Sequence, residues 1–262
     1  MNWNKIFIIG FLIANQSCGN PSRSVEKNQL STVPVETAGV ESRSQQEQNL
    51  KSKRANFDFK INGKDTLVSV SEFNSSIFWD LKYATSDNFM HRRLYDTMTC
   101  VYVQKEVAER LAKCQHYLSR KYPNYHLLVY DGVRPLSVQW EMWNALDSIK
   151  PIERVKFVSN PKNGSVHNFG AAVDITICDE NKVPLDMGAF YDDMRKIAYP
   201  GLEQQFIASG ELTQKHIENR KLLRKVLRNQ GFMNIETEWW HFNAYPRIVA
   251  KRTFEIIKHE IY

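Results

Sequence analysis

The stretch "GSVHNFGAAVDITI", residues 164–177, limits the fold most, because it places a carboxylate inside a run with the composition of a buried strand. Along "AAVDITIC", residues 171–178, successive side chains face opposite sides of a strand. The apolar face should point into the core, and its residues are Val173, Ile175 and Ile177. Asp174 lies on the other face and needs a partner, since an unpaired buried charge is costly. His167 precedes the strand, and Gly170 between them permits a tight backbone approach.

A converging imidazole and carboxylate can bind a divalent metal, zinc above all, or can simply form a hydrogen bond in a turn. This stretch alone favours neither. A second stretch, "ETEWWHF" at 236–242, carries Glu238 and His241 three residues apart. Catalytic zinc takes three protein ligands and keeps a fourth position open, and a carboxylate beside it can act as general base. His167, Asp174 and His241 are therefore candidate ligands and Glu238 a candidate base, although the tandem tryptophans are equally typical of a core.

A third stretch, "VYDGVRP", places Arg134 in a turn fixed by Gly132 and Pro135. A rigidly held guanidinium can stabilise a developing oxyanion or bind a carboxylate. It can equally pair with Asp131 and brace the turn. The local sequence leaves both interpretations open.

The order of the predicted elements indicates an α+β fold with a largely antiparallel sheet, because helices and strands mix without a βαβ rhythm. Apolar spacing predicts helices over 104–120, 137–148 and 214–230 and strands over 126–132 and 171–178. Gly231 is the expected C-terminal cap of the last helix.

The N-terminus, residues 1–17, has one lysine and a short apolar run, which is typical of a signal peptide. The following Cys18-Gly-Asn resembles a bacterial lipoprotein processing site, with plain secretion as the alternative. Residues 18–55 lack aromatic side chains and have the composition of a flexible tether. We therefore expect a single domain over 56–262, exported to the periplasm or cell envelope as a membrane-anchored lipoprotein.

The net charge of +6 is spread along the chain and would suit an anionic envelope polymer. A nucleic-acid partner is not expected, because no binding motif or basic stripe accompanies the charge. Pairing of Cys100, Cys114 and Cys178 stays open, and a Cys100–Cys114 disulfide is conceivable in an exported protein.

Taken together, "SVHNFGAAVD", "EWWH" and "YDGVRP" resemble the D-alanyl-D-alanine dipeptidase family of zinc peptidases, the group that includes the vancomycin-resistance dipeptidase. Further matches to the family are "DLKYATSDNF", "DMGAFYDD" and "NRKLLRKVLRNQGF". The resemblance runs from about residue 78 to 243. It implies one domain with a central, mainly antiparallel sheet flanked by helices, of the D,D-peptidase/hedgehog type.

The resemblance also implies residue roles. One Zn²⁺ per chain would be held by His167, Asp174 and His241, with Glu238 as base and Arg134 stabilising the tetrahedral intermediate. The implied substrate-binding residues are Tyr83, Ser165, Asp192 and Trp240. Asp193 remains an alternative to Asp192, Tyr83 could be a core tyrosine, and Ser165 could be a turn hydroxyl.

The activity that this resemblance implies is zinc-dependent hydrolysis of free D-Ala-D-Ala to two D-Ala in the cell envelope. A zinc D,D-carboxypeptidase or a peptidoglycan endopeptidase would use a similar metal set on longer peptides. A non-catalytic, zinc-bearing cell-wall binding module is a further alternative. The sequence leaves open the oligomeric state, and it does not separate glycopeptide resistance from wall recycling.

Overall fold

The computed structural model describes residues 59–61 and 65–261. Its strands are β1 Phe59–Ile61, β2 Asp65–Ser69, β3 Phe78–Trp79, β4 Tyr102–Gln104, β5 His126–Asp131, β6 Ala172–Cys178, β7 Met233–Asn234 and β8 His241–Asn243. Its α-helices are α1 Val70–Phe73, α2 Lys105–Ser119, α3 Leu136–Ala145, α4 Pro151–Arg154, α5 Glu203–Ala208, α6 Gln214–Arg228 and α7 Arg247–Thr253. Short 3₁₀ helices are Lys82–Ala84, Val166–Phe169, Lys196–Ala198 and Pro200–Leu202.

Two sheets organise the domain. The larger sheet has the order β3-β5-β6-β8-β7, and only its β3–β5 pair is parallel. The smaller sheet, β1-β2-β4, is antiparallel throughout. The predicted α+β class with a mainly antiparallel sheet is therefore confirmed.

Strand β6 lies at the centre of the larger sheet, between β5 and β8. Its apolar face packs in the core as predicted, with Val173, Ile175 and Ile177 fully buried. The opposite face is buried as well, so the strand is covered on both sides. A carboxylate at Asp174 therefore lies in the interior of the protein, where only charged or hydrogen-bonding partners can stabilise it.

The two long helices α2 and α6 pack against each other, and α2 also packs on β5. The predicted helices over 104–120 and 214–230 are confirmed with slightly shorter bounds. Each buries one apolar stripe at helical spacing. The helix α6 ends at Arg228, and Gly231 adopts a left-handed φ of 78° in the turn that closes it. The Gly231 N–H donates to the Arg228 carbonyl at 3.0 Å and the Phe232 N–H donates to the Leu227 carbonyl at 3.2 Å, so the predicted C-terminal glycine cap is confirmed.

Cys100, Cys114 and Cys178 are all free thiols, so the Cys100–Cys114 disulfide does not form. Cys114 and Cys178 are buried, and Cys100 is half-buried. The expected signal peptide, Cys18 and the tether lie outside the described residues. Within the part of the chain that is described, no helix combines the length and apolar character needed to cross a bilayer.

Candidate metal centre and active site

Strand pairing brings three of the functional side chains into one row across the larger sheet. Asp174 in β6 pairs with His241 in β8 on one side and with Asp131 at the end of β5 on the other. Residues directly opposite each other on antiparallel strands project their side chains from the same face. The register shifts between Val129 and Asp131, and this irregularity brings Asp131 opposite Asp174. The sheet itself thus assembles two carboxylates and an imidazole.

His167 reaches the same place from the 3₁₀ helix that precedes β6. The chain leaves that helix through Gly170, whose φ of 63° is left-handed. A Cβ atom at this position would lie 3.0 Å from the Leu67 side chain and 3.3 Å from the backbone nitrogen of Gln104. Glycine is therefore required for the chain to turn directly from His167 into the strand that carries Asp174.

The two imidazoles present their lone pairs to each other and to Asp174. His167 Nε2 lies 3.0 Å from His241 Nδ1, and Asp174 Oδ1 lies 3.2 Å from the first and 3.1 Å from the second. The other ring nitrogens donate outward, from His167 Nδ1 to the Gly132 carbonyl at 2.7 Å and from His241 Nε2 to Asn243 Oδ1 at 2.9 Å. These outer bonds fix both tautomers, as in zinc sites where a hydrogen bond orients each ligand histidine.

This arrangement fits a divalent metal ion. Three acceptor atoms that face one another repel unless a cation lies among them, and all three residues are buried. Two neutral imidazoles and one carboxylate form a donor set typical of catalytic zinc. The structure therefore brings the three predicted ligands together as a group that can hold a metal.

Arg134 forms the bracing pair with Asp131 that its sequence context allowed, and it also binds Asp174. Its Nε donates to Asp131 Oδ2 at 2.9 Å, which braces the turn, and its Nη2 donates to Asp174 Oδ2 at 2.9 Å. The guanidinium lies over the Tyr83 ring, 4.8 Å from its centre. Arg134 also lines a small cavity with Asp174, Asp192 and Glu238, which we call the active-site cavity. Burial alone would raise the pKa of Asp174, whereas the Arg134 guanidinium lowers it. Asp174 is thus an ionised carboxylate.

Asp131 was predicted only as a bracing partner, yet it lies within the site, opposite Asp174 on the neighbouring strand. It is fully buried, and its Oδ1 accepts a hydrogen bond of 2.8 Å from the Tyr95 hydroxyl. Burial raises its pKa, while Arg134 and His167 oppose that rise. Neither Asp131 nor Tyr95 carries a spacing signal that would identify this contact from the sequence, because they lie 36 residues apart.

Glu238 lies on the loop that leads into β8. Its Oε2 is 3.9 Å from His241 Nδ1, and its side chain is 23% exposed. Burial raises the pKa of Glu238 from 4.5 to about 7, with Asp174 adding to the rise and His241 and Arg134 opposing it. A carboxylate with a pKa near neutrality can both accept and return a proton.

Asp192 and Tyr83 form the far wall of the cavity. Tyr83 donates from its hydroxyl to Asp192 Oδ1 at 3.1 Å, while Asp192 Oδ2 is buried and has no hydrogen-bond partner in the described part of the chain. Burial raises the pKa of Asp192 well above its usual range, and Asp174 adds to the effect. Asp193 differs, because its carboxylate is paired with Arg195 at 2.6 Å. Of the two aspartates, only Asp192 has an oxygen left for a ligand.

The remaining predicted substrate residues fall in different places. Trp240 lines the cavity and packs edge-to-face against Tyr191 at 5.5 Å. Ser165 does not line it, since this residue is the buried N-cap of the 3₁₀ helix and its N–H donates to Asn168 Oδ1. Tyr191 was missed from the sequence although it lies next to Asp192, and its hydroxyl donates to Asp174 Oδ2 at 3.1 Å.

Comparison with known proteins agrees with this geometry. A family model described as D-ala-D-ala dipeptidase, Peptidase M15, matches residues 64–259. The D-alanyl-D-alanine dipeptidase of Escherichia coli K12 is 31% identical over 185 residues, which cover 69% of this chain and 88% of that protein. The enzyme of the same name from Enterococcus faecium is 30% identical over 189 residues, covering 66% and 88%.

A solved structure of a vancomycin resistance D,D-pentapeptidase in complex with Zn(II) is 13% identical, with a TM-score of 0.36 over 60% of this chain and 81% of that one. That likeness is too low to support a conclusion about this chain. The family match spans three quarters of the sequence and contains every residue of the metal centre. The chain therefore belongs to the Peptidase M15 family of D-Ala-D-Ala dipeptidases and is a zinc-dependent hydrolase.

Proposed function

We propose that this chain hydrolyses the free dipeptide D-Ala-D-Ala to two molecules of D-alanine. One observation carries the proposal: a single small cavity is lined by Arg134, Asp174, Asp192 and Glu238. These side chains supply a metal ligand, a base, a cation for a developing oxyanion and an anion for an ammonium group. A free dipeptide is the smallest peptide that presents one scissile amide beside a free amino group.

His167, Asp174 and His241 would hold the zinc ion. When bound, zinc supplies Lewis-acid chemistry, polarising oxygen ligands and making water acidic near neutral pH. Asp131 accepts a hydrogen bond from Arg134, and the Tyr191 hydroxyl donates one to the ligand Asp174. These two bonds hold Arg134 and Asp174 in place. The protein thus fixes the ligand atoms before substrate enters.

Glu238 is the proposed general base and acid. It accepts a proton from the attacking water and then donates it to the leaving amine. Arg134 stabilises the negative charge that develops on the amide oxygen. Its Nε and Nη2 are occupied by Asp131 and Asp174, whereas no hydrogen bond involves its Nη1 within the described residues. That nitrogen remains available to the substrate.

Asp192 is the proposed site for the substrate ammonium. Its buried Oδ2 has no partner among residues 59–61 and 65–261, so an ammonium group would complete its hydrogen bonding and neutralise its charge. A substrate with an acylated amino group would leave this oxygen unsatisfied and would be rejected.

The direct test is release of D-alanine from D-Ala-D-Ala by the purified chain, before and after zinc removal, beside Glu238→Gln and the exposed control Glu236→Gln. We expect zinc-dependent turnover that Glu238→Gln reduces by roughly 10³-fold and that Glu236→Gln leaves unchanged. Turnover of longer D-Ala-D-Ala-ending peptides but not of the free dipeptide would indicate a carboxypeptidase or endopeptidase instead. Zinc binding without any hydrolysis would indicate a non-catalytic wall-binding module.

We also propose that the chain is exported and anchored through a lipid on Cys18, on the strength of the N-terminal sequence pattern. Metabolic labelling with a radioactive fatty acid should label the full-length chain and not its Cys18→Ser variant. Secretion of an unlabelled wild-type chain would contradict the anchor and leave simple export.

A further inference from the structure

A second cavity lies on the surface between the C-terminal part of α2, the turn that follows it, and α6. We call it the basic groove. It has a volume of about 720 Å³, within the range of ligand sites, and shares no lining residue with the active-site cavity. Nothing in the proposed hydrolysis uses it.

The charge of this groove is strongly one-sided. Its cations are Arg120, Lys121, Lys215, Lys221 and Lys225, and its one carboxylate is Glu218. All five cations are exposed, and none of them forms an ion pair with any described residue. Five like charges around one cavity repel one another, so an anionic ligand would lower the free energy of the whole groove.

The floor of the groove is aromatic and apolar. Tyr122 and Tyr125 stack with their ring centres 5.3 Å apart and nearly parallel, and Tyr117 lies beside them. All three rings are half-buried. Lys121 Nζ lies 5.6 Å from the centre of the Tyr122 ring. The groove therefore combines flat apolar surface and hydroxyl groups with a rim of ammonium groups.

The turn that carries Tyr122 and Tyr125 is held rigidly before any ligand binds. The Tyr122 N–H donates to the Leu118 carbonyl at 2.9 Å, and the Tyr125 N–H donates to the Tyr122 carbonyl at 3.0 Å. The Gln115 side chain, itself buried, donates to the Tyr125 carbonyl at 3.0 Å. A preformed wall reduces the entropy lost on binding.

We propose that the basic groove binds an acidic glycan, a chain of sugars that carry carboxylate groups. Sugar rings present C–H faces that pack on tyrosine rings and hydroxyls that hydrogen-bond to tyrosine and lysine, while their carboxylates pair with the lysines. This binding goes beyond the proposed dipeptide hydrolysis and does not depend on it. It would hold the enzyme on an anionic polymer while the active site processes small peptides.

Two other anionic partners fit the groove less well. A membrane surface is flat and needs exposed apolar side chains to insert, whereas this site is concave and its apolar atoms form the floor. Single-stranded nucleic acid needs separate aromatic platforms for successive bases, whereas Tyr122 and Tyr125 stack on each other.

The test measures binding of fluorescently labelled oligogalacturonate to the full-length chain by anisotropy, at low and at physiological salt. The variant combines Lys121→Gln, Lys221→Gln and Lys225→Gln. The matched control combines Lys162→Gln, Lys251→Gln and Lys258→Gln, which remove the same charge from exposed sites outside the groove. A separate Tyr122→Leu variant keeps the apolar bulk and removes the aromatic ring and hydroxyl.

We expect salt-sensitive binding that the groove variant weakens about tenfold, that Tyr122→Leu also weakens, and that the control variant leaves unchanged. The fully methyl-esterified oligogalacturonate should not bind. Equal loss in both triple variants, or no binding by the wild type, would overturn the proposal. Tighter binding of oligothymidylate or of phosphatidylglycerol vesicles, lost in the same groove variant, would overturn it in favour of nucleic acid or membrane.

Hydrolysis of D-Ala-D-Ala by the groove variant should equal that of the wild type, which shows that the variant is folded. Glycan binding by a protein without dipeptidase activity would refute the proposed function and leave the groove intact. Dipeptidase activity without glycan binding would support the proposed function and overturn the proposal that the basic groove binds a glycan.

Discussion

Asp192 and Asp193 are adjacent in the sequence, yet their carboxylates have opposite surroundings. Asp192 has a buried oxygen that no described residue contacts by a hydrogen bond, and Asp193 is paired with Arg195. We expect Asp192→Asn to lower kcat/KM for free D-Ala-D-Ala by roughly 10- to 100-fold, because a charge-assisted bond to the ammonium is lost. Asp193→Asn is the matched control and should change kcat/KM less than about threefold. Steady-state kinetics decide, and equal losses in both variants would refute the assignment.

Glu238 is held at a site that destabilises its ionised form. Its pKa is raised from 4.5 in the unfolded chain to about 7 in the native state. As the pH rises, the Glu238 carboxyl group therefore ionises first in the unfolded chain. The free energy of unfolding falls as the pH rises from 4.5 to about 7 and stays lower above that range. We expect Glu238→Gln to be more stable than the wild type above pH 7, by up to roughly 3 kcal/mol, and to match it near pH 4. Urea unfolding of the zinc-free proteins at both pH values measures the difference. A variant that is less stable at pH 8 would contradict this reasoning.

Local sequence predicts individual site residues only where their spacing is short. The pattern around His167 and Asp174 predicts that the two side chains converge, because seven residues and one glycine bring them together, and a metal site is indicated only once Glu238 and His241 are added. The contact of Tyr95 with Asp131 depends on packing between distant segments, so no local pattern reports it. The local pattern makes Glu238 only a candidate base, and resemblance to a family supports that role, because a carboxylate three residues before a histidine is common in surface loops.

At the level of elements, long periodic segments are predictable and short ones are not. Helices α2 and α6 and strand β6 carry repeated apolar positions, and the sequence predicts each of them. Strands β3 and β7 have two residues each, too few to show any period. They exist because the central strands offer them hydrogen-bonding partners, which is a tertiary effect.

The junction between β4 and the end of β5 depends on a glycine without a side chain. A Cβ atom at Gly132 would lie 2.4 Å from the backbone oxygen of Tyr102, and the Gly132 carbonyl orients His167. We expect Gly132→Ala to destabilise the protein by roughly 3 kcal/mol or more and to weaken zinc binding, because backbone cannot move aside cheaply. Gly201→Ala is the control, because within the described part of the chain no atom beyond the adjoining residues lies within 4 Å of the added carbon. Thermal unfolding and zinc titration give the comparison, and a neutral Gly132→Ala would disprove the required close approach.

Across the whole molecule, the C-terminal tail ties separate parts of the site together. The backbone of Ile257 accepts a hydrogen bond from Leu136 at the start of α3 and donates one to Asn168, next to His167. Three residues farther on, Glu260 accepts bonds from the loop at 96–98, which follows Tyr95. The tail therefore connects the segment that carries the proposed ligand His167 with the segment that carries Tyr95, whose hydroxyl donates to Asp131. It does so although it lies beyond the last recognisable sequence motif.

Glu260 makes this connection testable. Partial burial alone would raise its pKa, but the backbone N–H groups of Asp96, Thr97 and Met98 donate to the carboxylate and lower the pKa. A lowered pKa contributes stability that is present above the ordinary value of 4.5 and is lost as the pH falls through the lowered value. We expect Glu260→Gln to reduce the free energy of unfolding by about 1 kcal/mol at pH 7 and by less at pH 3.

Urea unfolding at the two pH values checks this expectation, with Glu218→Gln in the basic groove as the exposed control. Because the tail also touches Asn168, Glu260→Gln should weaken zinc binding slightly, while the control should not. A loss of stability that is the same at pH 7 and pH 3 would mean that the contribution of Glu260 does not depend on its ionisation, and it would contradict the role assigned to the carboxylate.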